Sequence, residues 1–149
     1  AGPTVVDTMA NAAFYFGVVR ALAESERPLW SQMSFSAAEE NFHVAAQYGI
    51  EALVYWPGVG QVSATELVVR RLLPMARQGL DEWGVAGDEA DRLLGIIEQR
   101  CLTGRNGASW YVDQVHQRES AGEERMQALR GTLVDYRDRM HSNEPVHAW

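Results

Sequence analysis

The four histidines of this 149-residue chain share one spacing, because an acidic residue precedes each of them by three positions. The pairs are Glu40–His43, Asp113–His116, Asp138–His141 and Glu144–His147. On a helix this spacing places a carboxylate and an imidazole one turn apart on the same face. Two such motifs from two helices are the ligand pattern of carboxylate-bridged di-metal sites, and Glu40, His43, Asp113 and His116 would supply it here. The same spacing also forms a plain ion pair on a solvated helix, which is the interpretation that we favour.

The segment T-G-R-N-G, residues 103–107, precedes a predicted helix and has a second kind of chemistry. Free backbone amides in such a loop can bind an anion, and Arg105 would add a positive charge. The full phosphate-loop pattern is missing, so a plain helix–helix connection is the favoured interpretation. The single cysteine, Cys101, excludes an internal disulfide and lies in an apolar helical context that favours a buried, inert thiol.

Composition excludes several classes of function. The net charge is 13 − 20 = −7, which argues against a nucleic-acid or anionic-membrane partner. All basic residues are arginine, so Schiff-base chemistry on a lysine is excluded within this chain. The longest apolar run, residues 9–23, contains Asn11 and Arg20 and is too short to span a bilayer. We therefore expect a cytoplasmic location and no membrane partner.

Capping signals divide the chain into helices. Three pairs have capping-box spacing: Thr4 with Asp7, Ser36 with Glu39, and Ser63 with Glu66. Apolar periodicity and glycine stops then predict helices over residues 5–24, 36–48, 64–83, 88–102, 108–120 and 123–141. Pro57-Gly58 predicts a turn between two short β-prone segments, 51–56 and 59–62. The predicted fold is mainly α, a single helical domain over residues 1–149 with about six helices and one small β-hairpin.

Three of these helices carry more specific expectations. The first is apolar on nearly all sides, which predicts burial at the centre or against something outside this chain. Together with its abrupt start, this suggests a fragment of a larger α+β protein. Pro74 is expected to kink the third helix. The last helix is expected to bury five residues with helical spacing: Met126, Leu129, Leu133, Tyr136 and Met140.

The segment E-N-F-H-V-A-A-Q-Y-G-I-E-A-L-V, residues 40–54, resembles part of the glutamate–cysteine ligase-like, carboxylate–amine ligase family. Residues 3–13 resemble the helix that follows the last substrate-site strand of that family. Gly107-Ala108 resembles a Gly-Ala pair that the family places before its terminal helix. Together the three segments cover most of the chain from Pro3 to about Ser120. Phe42, Val44 and Gln47 stand where the family has arginines.

The resemblance implies that this chain is the C-terminal helical region of such an enzyme. ATP and magnesium would bind the N-terminal catalytic region of the same polypeptide, which would be the partner of this chain, with a homo-oligomer also possible. No catalytic residue and no cofactor site would lie in this chain itself. Glu40, Asn41 and Arg105 would line the edge of the substrate site. The alternatives are a stand-alone helical metal-binding protein, or an interaction module whose first helix docks on a partner.

Overall fold

The computed structural model describes residues 2–149; Ala1, the first residue of the predicted domain, lies outside this range. The described residues form six helices and one two-stranded antiparallel hairpin, and 74% of them are helical. This confirms the predicted mainly α fold. The helices are α1 (Val5–Ala23), α2 (Phe35–Tyr48), α3 (residues 64–82), α4 (Gly87–Thr103), α5 (Gly107–Ser120) and α6 (Arg125–Ser142). The hairpin joins β1 (Leu53–Trp56) to β2 (Gly60–Ser63), with Val54 paired to Val62.

The capping signals are partly confirmed. At α1 the Thr4 hydroxyl accepts from the Asp7 amide at 3.1 Å, and the Asp7 carboxylate accepts from the Thr4 amide at 3.3 Å. The predicted box of Ser36 with Glu39 is wrong, because α2 begins at Phe35 and Ser34 is its N-cap. Ser34 has an extended backbone, and its hydroxyl accepts from the Ala37 amide at 3.2 Å, so Ser36 falls inside the first turn.

The third helix accommodates its proline through a change of helical type. Its three segments are an α-helical start (Ala64–Leu67), a π-helical segment (Val68–Leu72) and an α-helical end (Leu73–Glu82). Proline has no backbone donor, and its ring clashes with the carbonyl four residues earlier in a regular α-helix. The wider π segment ends two residues before Pro74 and relieves this conflict, since it changes the pairing of the carbonyls that precede the ring.

The main core lies where α1 crosses α3 and where α4 packs on both. Backbones approach closely at the crossing: a Cβ on Gly79 would lie 2.0 Å from the Gly17 carbonyl oxygen, and one on Gly17 would lie 2.3 Å from the Ala76 oxygen. Glycine is therefore required at both positions. The fully covered residues around the crossing are Ala10, Leu73, Ala76, Leu80, Ala90, Leu93, Leu94, Ile96 and Ile97.

The predicted buried face of α6 is wrong for three of its five residues, while Leu129 and Tyr136 are half-buried. Met126, Leu133 and Met140 are exposed, whereas Ala128 and Thr132 are buried. Arg118 of α5 lies against α6, with its guanidinium over Gly131, where a Cβ would come within 2.6 Å of Nη1. The same guanidinium pairs with Asp135 at 2.5 Å. The small-residue side of α6 thus faces α5.

Candidate functional site

Asn41, one of the three residues expected at a substrate-site edge, is bound to the hairpin. Its side-chain amide donates to the Tyr55 carbonyl at 2.8 Å, and its side-chain oxygen accepts from the Tyr55 amide at 2.7 Å. The amide of Asn41 therefore acts toward β1 as a neighbouring strand would, and satisfies the backbone of an edge residue. This gives Asn41 a structural role that its position in the sequence motif did not reveal.

Glu40 and His43 lie on the solvent side of α2. Both are exposed, and no residue of this helix is buried. The His43 ring packs edge-on against the ring of Phe42, with centroids 5.8 Å apart. Neither side chain forms a hydrogen bond or ion pair among the described residues.

Arg105 holds the C-terminal residue and lines a cleft. Its guanidinium donates to the backbone oxygen of Trp149. The cleft lies between α5, α6 and the last turn, has a volume of about 480 Å³, and is lined by acidic side chains that include Asp113 and Asp138. Glu40 and Asn41 do not line it, so the structure does not bring the three predicted edge residues to one cavity.

The predicted anion loop is a helix-capping turn in the structure. The Asn106 side-chain oxygen accepts from the amides of Ala108 and Ser109 at 2.9 and 3.0 Å. The Ser109 hydroxyl in turn accepts from the Asn106 amide at 2.9 Å. Amides that an anion would need are therefore already satisfied, and Gly104 turns the chain with a φ of +68°. The favoured interpretation, a plain helix–helix connection, describes this geometry.

The four candidate metal ligands do not assemble. Across residues 2–149, no three side chains of the His, Cys, Asp and Glu types come together in a way that could hold a metal ion. Glu40 and His43 are on α2, whereas Asp113 and His116 are on α5. The metal-binding alternative therefore has no support among the described residues.

The most buried charged group of the described chain is Asp7, which no functional motif had indicated. Its carboxylate accepts from Arg100 Nη2 at 2.6 Å and from the Val146 amide at 3.2 Å. Arg100 also donates to Asn11 at 2.7 Å. Burial lowers the pKa of the nearby His147 imidazole, and burial together with the Asp7 charge raises the pKa of Tyr136. The cluster joins α1, α4 and the C-terminal turn, so its role is structural.

The outer side of α1 carries an exposed apolar face. Val5, Met9, Phe16 and Val19 are all exposed. At about 100° per residue they fall within about 80° of one another, opposite the side that carries Asp7, Ala10 and Gly17. The exposed residues of α1 include no charged side chain. The all-round apolar character of this helix thus comes from two apolar sides, of which the core covers one.

Further exposed aromatic residues lie beyond the end of α3 and on α2. Trp83, beyond the end of α3, is half exposed and packs against Phe16 with ring centroids 6.0 Å apart. On α2, Phe35 and Phe42 are seven residues apart, which places them on one side of the helix. They are 83% and 72% exposed. Exposed apolar surface of this kind is typical of protein–protein contact sites.

The fold and this surface define a mainly helical protein with an antiparallel hairpin and an uncovered apolar face. Comparison with protein-family models, curated proteins and solved structures found no match to the chain. No helix among residues 2–149 is both long enough and apolar enough to cross a bilayer.

Proposed function

We propose that this chain is the C-terminal helical region of a glutamate–cysteine ligase-like, ATP-dependent carboxylate–amine ligase. In this proposal it docks on the N-terminal catalytic region of the same polypeptide and has no ligase activity in isolation. ATP and magnesium bind the catalytic region. The chain supports that region and covers one side of its substrate site.

The outer face of α1 carries this proposal. A helix of 19 residues is about 28 Å long, and this one presents Val5, Met9, Phe16 and Val19 to solvent along almost its whole length. Burying such side chains stabilises a contact by roughly 25 cal/mol for each Å² of apolar surface removed from water. The absence of charge among the exposed residues of α1 also suits a contact that water does not enter. Residues 3–13 resemble the helix that follows the last substrate-site strand of the family, and on this resemblance we take the catalytic region as the partner.

The three edge residues have different roles in this proposal. Glu40 is exposed on α2 and is available to the catalytic region. Asn41 acts indirectly, since its amide fixes the position of Tyr55 and of the hairpin. Arg105 holds the C-terminal turn through Trp149 and leaves its remaining donors for the adjacent cleft.

The test compares this chain with a longer polypeptide that includes the region encoded before it. We expect the longer form to produce ADP and an amide from ATP, glutamate and an amine acceptor, and the isolated chain to produce neither. Calorimetry is expected to show no ATP binding by the isolated chain. Hydrogen exchange of α1 amides is expected to be slower in the longer form, because α1 is then covered.

Variants at the apolar face make the docking step testable. Met9→Asp with Phe16→Asp is expected to remove the protection of α1 and the ligase activity of the longer polypeptide. Leu102→Asp is the control, because Leu102 is an exposed leucine at the far end of α4. Micromolar ATP binding by the isolated chain would contradict the proposal, as would an upstream region without ATP-dependent amide synthesis. The second of these results, combined with retained docking through α1, would favour the alternative of a non-catalytic interaction module.

A further inference from the structure

The exposed side of α6 has the spacing of a helix that packs against another helix. Met126, Leu129, Leu133, Tyr136 and Met140 follow one another at alternating intervals of three and four residues. This is the pattern by which one helix inserts its side chains between those of a partner helix. In the described structure the three positions at intervals of seven, Met126, Leu133 and Met140, are exposed. A helix-packing seam is therefore present with its outer half uncovered.

A groove between α5 and α6 runs beside this seam. Its volume is about 460 Å³, and Tyr111 and Val112 of α5 face Leu133 and Tyr136 of α6 across it. The Tyr111 and Tyr136 rings pack edge-on, with centroids 6.3 Å apart. The groove is shallow and mainly apolar, and two helices form its walls. These are the features of a site that receives a third, amphipathic helix.

Two arginines follow the exposed side of the α6 seam. Arg130 and Arg137 follow Met126 and Leu133 by four residues, so each lies one turn further along the same side of the helix. Both are exposed. Arg130 has no ion pair among residues 2–149, and the partner of Arg137 is the adjacent Asp138 at 2.9 Å. In a chain with a net charge of −7, Arg130 is thus an unpaired positive charge among the described residues, beside the apolar seam, and Arg137 lies two turns further along with one carboxylate partner.

We propose that the α5–α6 groove binds an amphipathic helix of a partner protein, with carboxylates flanking the apolar stripe of that helix. The stripe packs on Leu133 and Met126, and the carboxylates pair with Arg130 and Arg137. This surface lies on helices other than α1 and α2, so the proposal goes beyond the proposed function and does not depend on it.

The same residues argue against two other occupants. Arg125 and Arg139 flank the seam on its other side and already pair with Glu119 and Glu144. A second copy of α6 would therefore offer Arg130 and Arg137 no free carboxylate at these positions. An anionic membrane surface is a poor fit, because it would meet a chain with a net charge of −7. Both occupants are nevertheless distinguishable outcomes of the test.

The experiment titrates the full chain with two synthetic peptides of about three heptads each, which carry leucine at the seam positions. One peptide has glutamate at the flanking positions and its twin has lysine. We expect the glutamate peptide to bind roughly tenfold more tightly than the lysine peptide in low-salt calorimetry, since two close charge pairs change from repulsive to attractive. Arg130→Glu with Arg137→Glu is expected to reverse this order.

Matched variants separate the groove from general effects of charge and surface. Arg27→Glu with Arg71→Glu changes the net charge by the same amount at exposed arginines on other segments, and should leave the order of the peptides unchanged. Leu133→Asp should abolish binding of the glutamate peptide. Leu102→Asp should not, although Leu102 is 63% exposed and Leu133 is 60% exposed.

Four results would overturn the proposal. They are equal affinity of the chain for the two peptides, no binding of either, a dimer in sedimentation that Leu133→Asp dissociates, and binding to phosphatidylserine vesicles that requires Arg130 and Arg137. The third result would assign the groove to a second copy, and the fourth to a membrane surface. None of them bears on ATP binding or on docking through α1, so failure here is distinguishable from failure of the proposed function.

Discussion

The carboxylate of Asp7 on α1 accepts a hydrogen bond from Arg100 on α4 at 2.6 Å, although the two residues are 93 positions apart in the sequence. The Asp7 side chain is 0% exposed and that of Arg100 is 14% exposed. Asp7 also caps its own helix through Thr4 and receives the amide of Val146. One buried carboxylate thus links three parts of the fold: the start of α1, the end of α4 that carries Arg100, and the C-terminal turn.

Removing this carboxylate should strongly destabilise the fold. Asp7→Ala leaves Arg100 without its buried counter-charge and the Val146 amide without an acceptor. We expect the free energy of unfolding to fall by about 3–5 kcal/mol, measured by urea denaturation. Glu89→Gln is the control. It breaks the exposed ion pair of Glu89 with Arg92 and should leave the midpoint of urea denaturation unchanged. A similar loss in both variants would show that Asp7 has no special role.

Replacing glycine by alanine should change the free energy of unfolding in opposite directions at two kinds of site. Gly79→Ala places a Cβ 2.0 Å from the Gly17 carbonyl oxygen, so α1 and α3 must separate, and we expect a loss of about 1–3 kcal/mol or more. Gly95→Ala lies inside α4 with nothing within 4 Å of the new Cβ. There we expect a gain of about 0.5–1 kcal/mol, because alanine favours the helix. Thermal unfolding of both variants tests the close crossing directly.

Asn41 should contribute to stability through the hairpin. Asn41→Ala removes both hydrogen bonds to the Tyr55 backbone, and we expect a loss of about 1–2 kcal/mol. Backbone amide exchange of Tyr55 should also become faster. Glu40→Gln, one residue earlier and exposed, should change neither quantity. Unaltered exchange at Tyr55 in Asn41→Ala would contradict the structural role of this side chain.

Stability should decrease below neutral pH in part because of His147. Burial lowers the pKa of its imidazole in the folded chain, with Arg100 acting in the same direction and Asp7 and Glu144 opposing it. Below the unfolded-state pKa of about 6.5, the unfolded chain therefore binds a proton that the folded chain binds less readily. The associated stability is present above that pKa and is lost as the pH falls through the lowered folded-state value. His147→Gln should flatten the dependence of unfolding free energy on pH between about 7 and 5. His116→Gln, at an exposed position, should not.

Local signals were sufficient for most helix boundaries. Thr4 and Asp7 start α1 as their spacing predicts, and Pro57-Gly58 turns the hairpin. These features depend on hydrogen bonds between residues three or four positions apart, which the order of residues specifies. The wrong N-cap predicted for α2 was also a local error. Ser34 and Ser36 both offer a hydroxyl, and only the backbone conformation shows which one lies at the N-cap.

The candidate sites depended on contacts that spacing cannot specify. The acid–histidine spacing holds on single helices, but whether α2 and α5 bring their side chains together is a matter of tertiary packing. The substrate-edge interpretation of Asn41 was equally local, whereas the partner of its amide lies on β1. A residue type gives the capacity for a hydrogen bond, and the fold decides which group uses it.

The sequence by itself determined that this chain is mainly helical, where most of its helices begin and end, and which of their sides are apolar. The tertiary structure decided which apolar sides are covered. On α1 the close crossing at Gly17 covers one side and leaves Phe16 outward, and on α6 the small residues meet Arg118 of α5 whereas Leu133 faces outward. The physical reason is range. Helical periodicity is set within one or two turns, whereas burial depends on backbones that meet from distant parts of the chain.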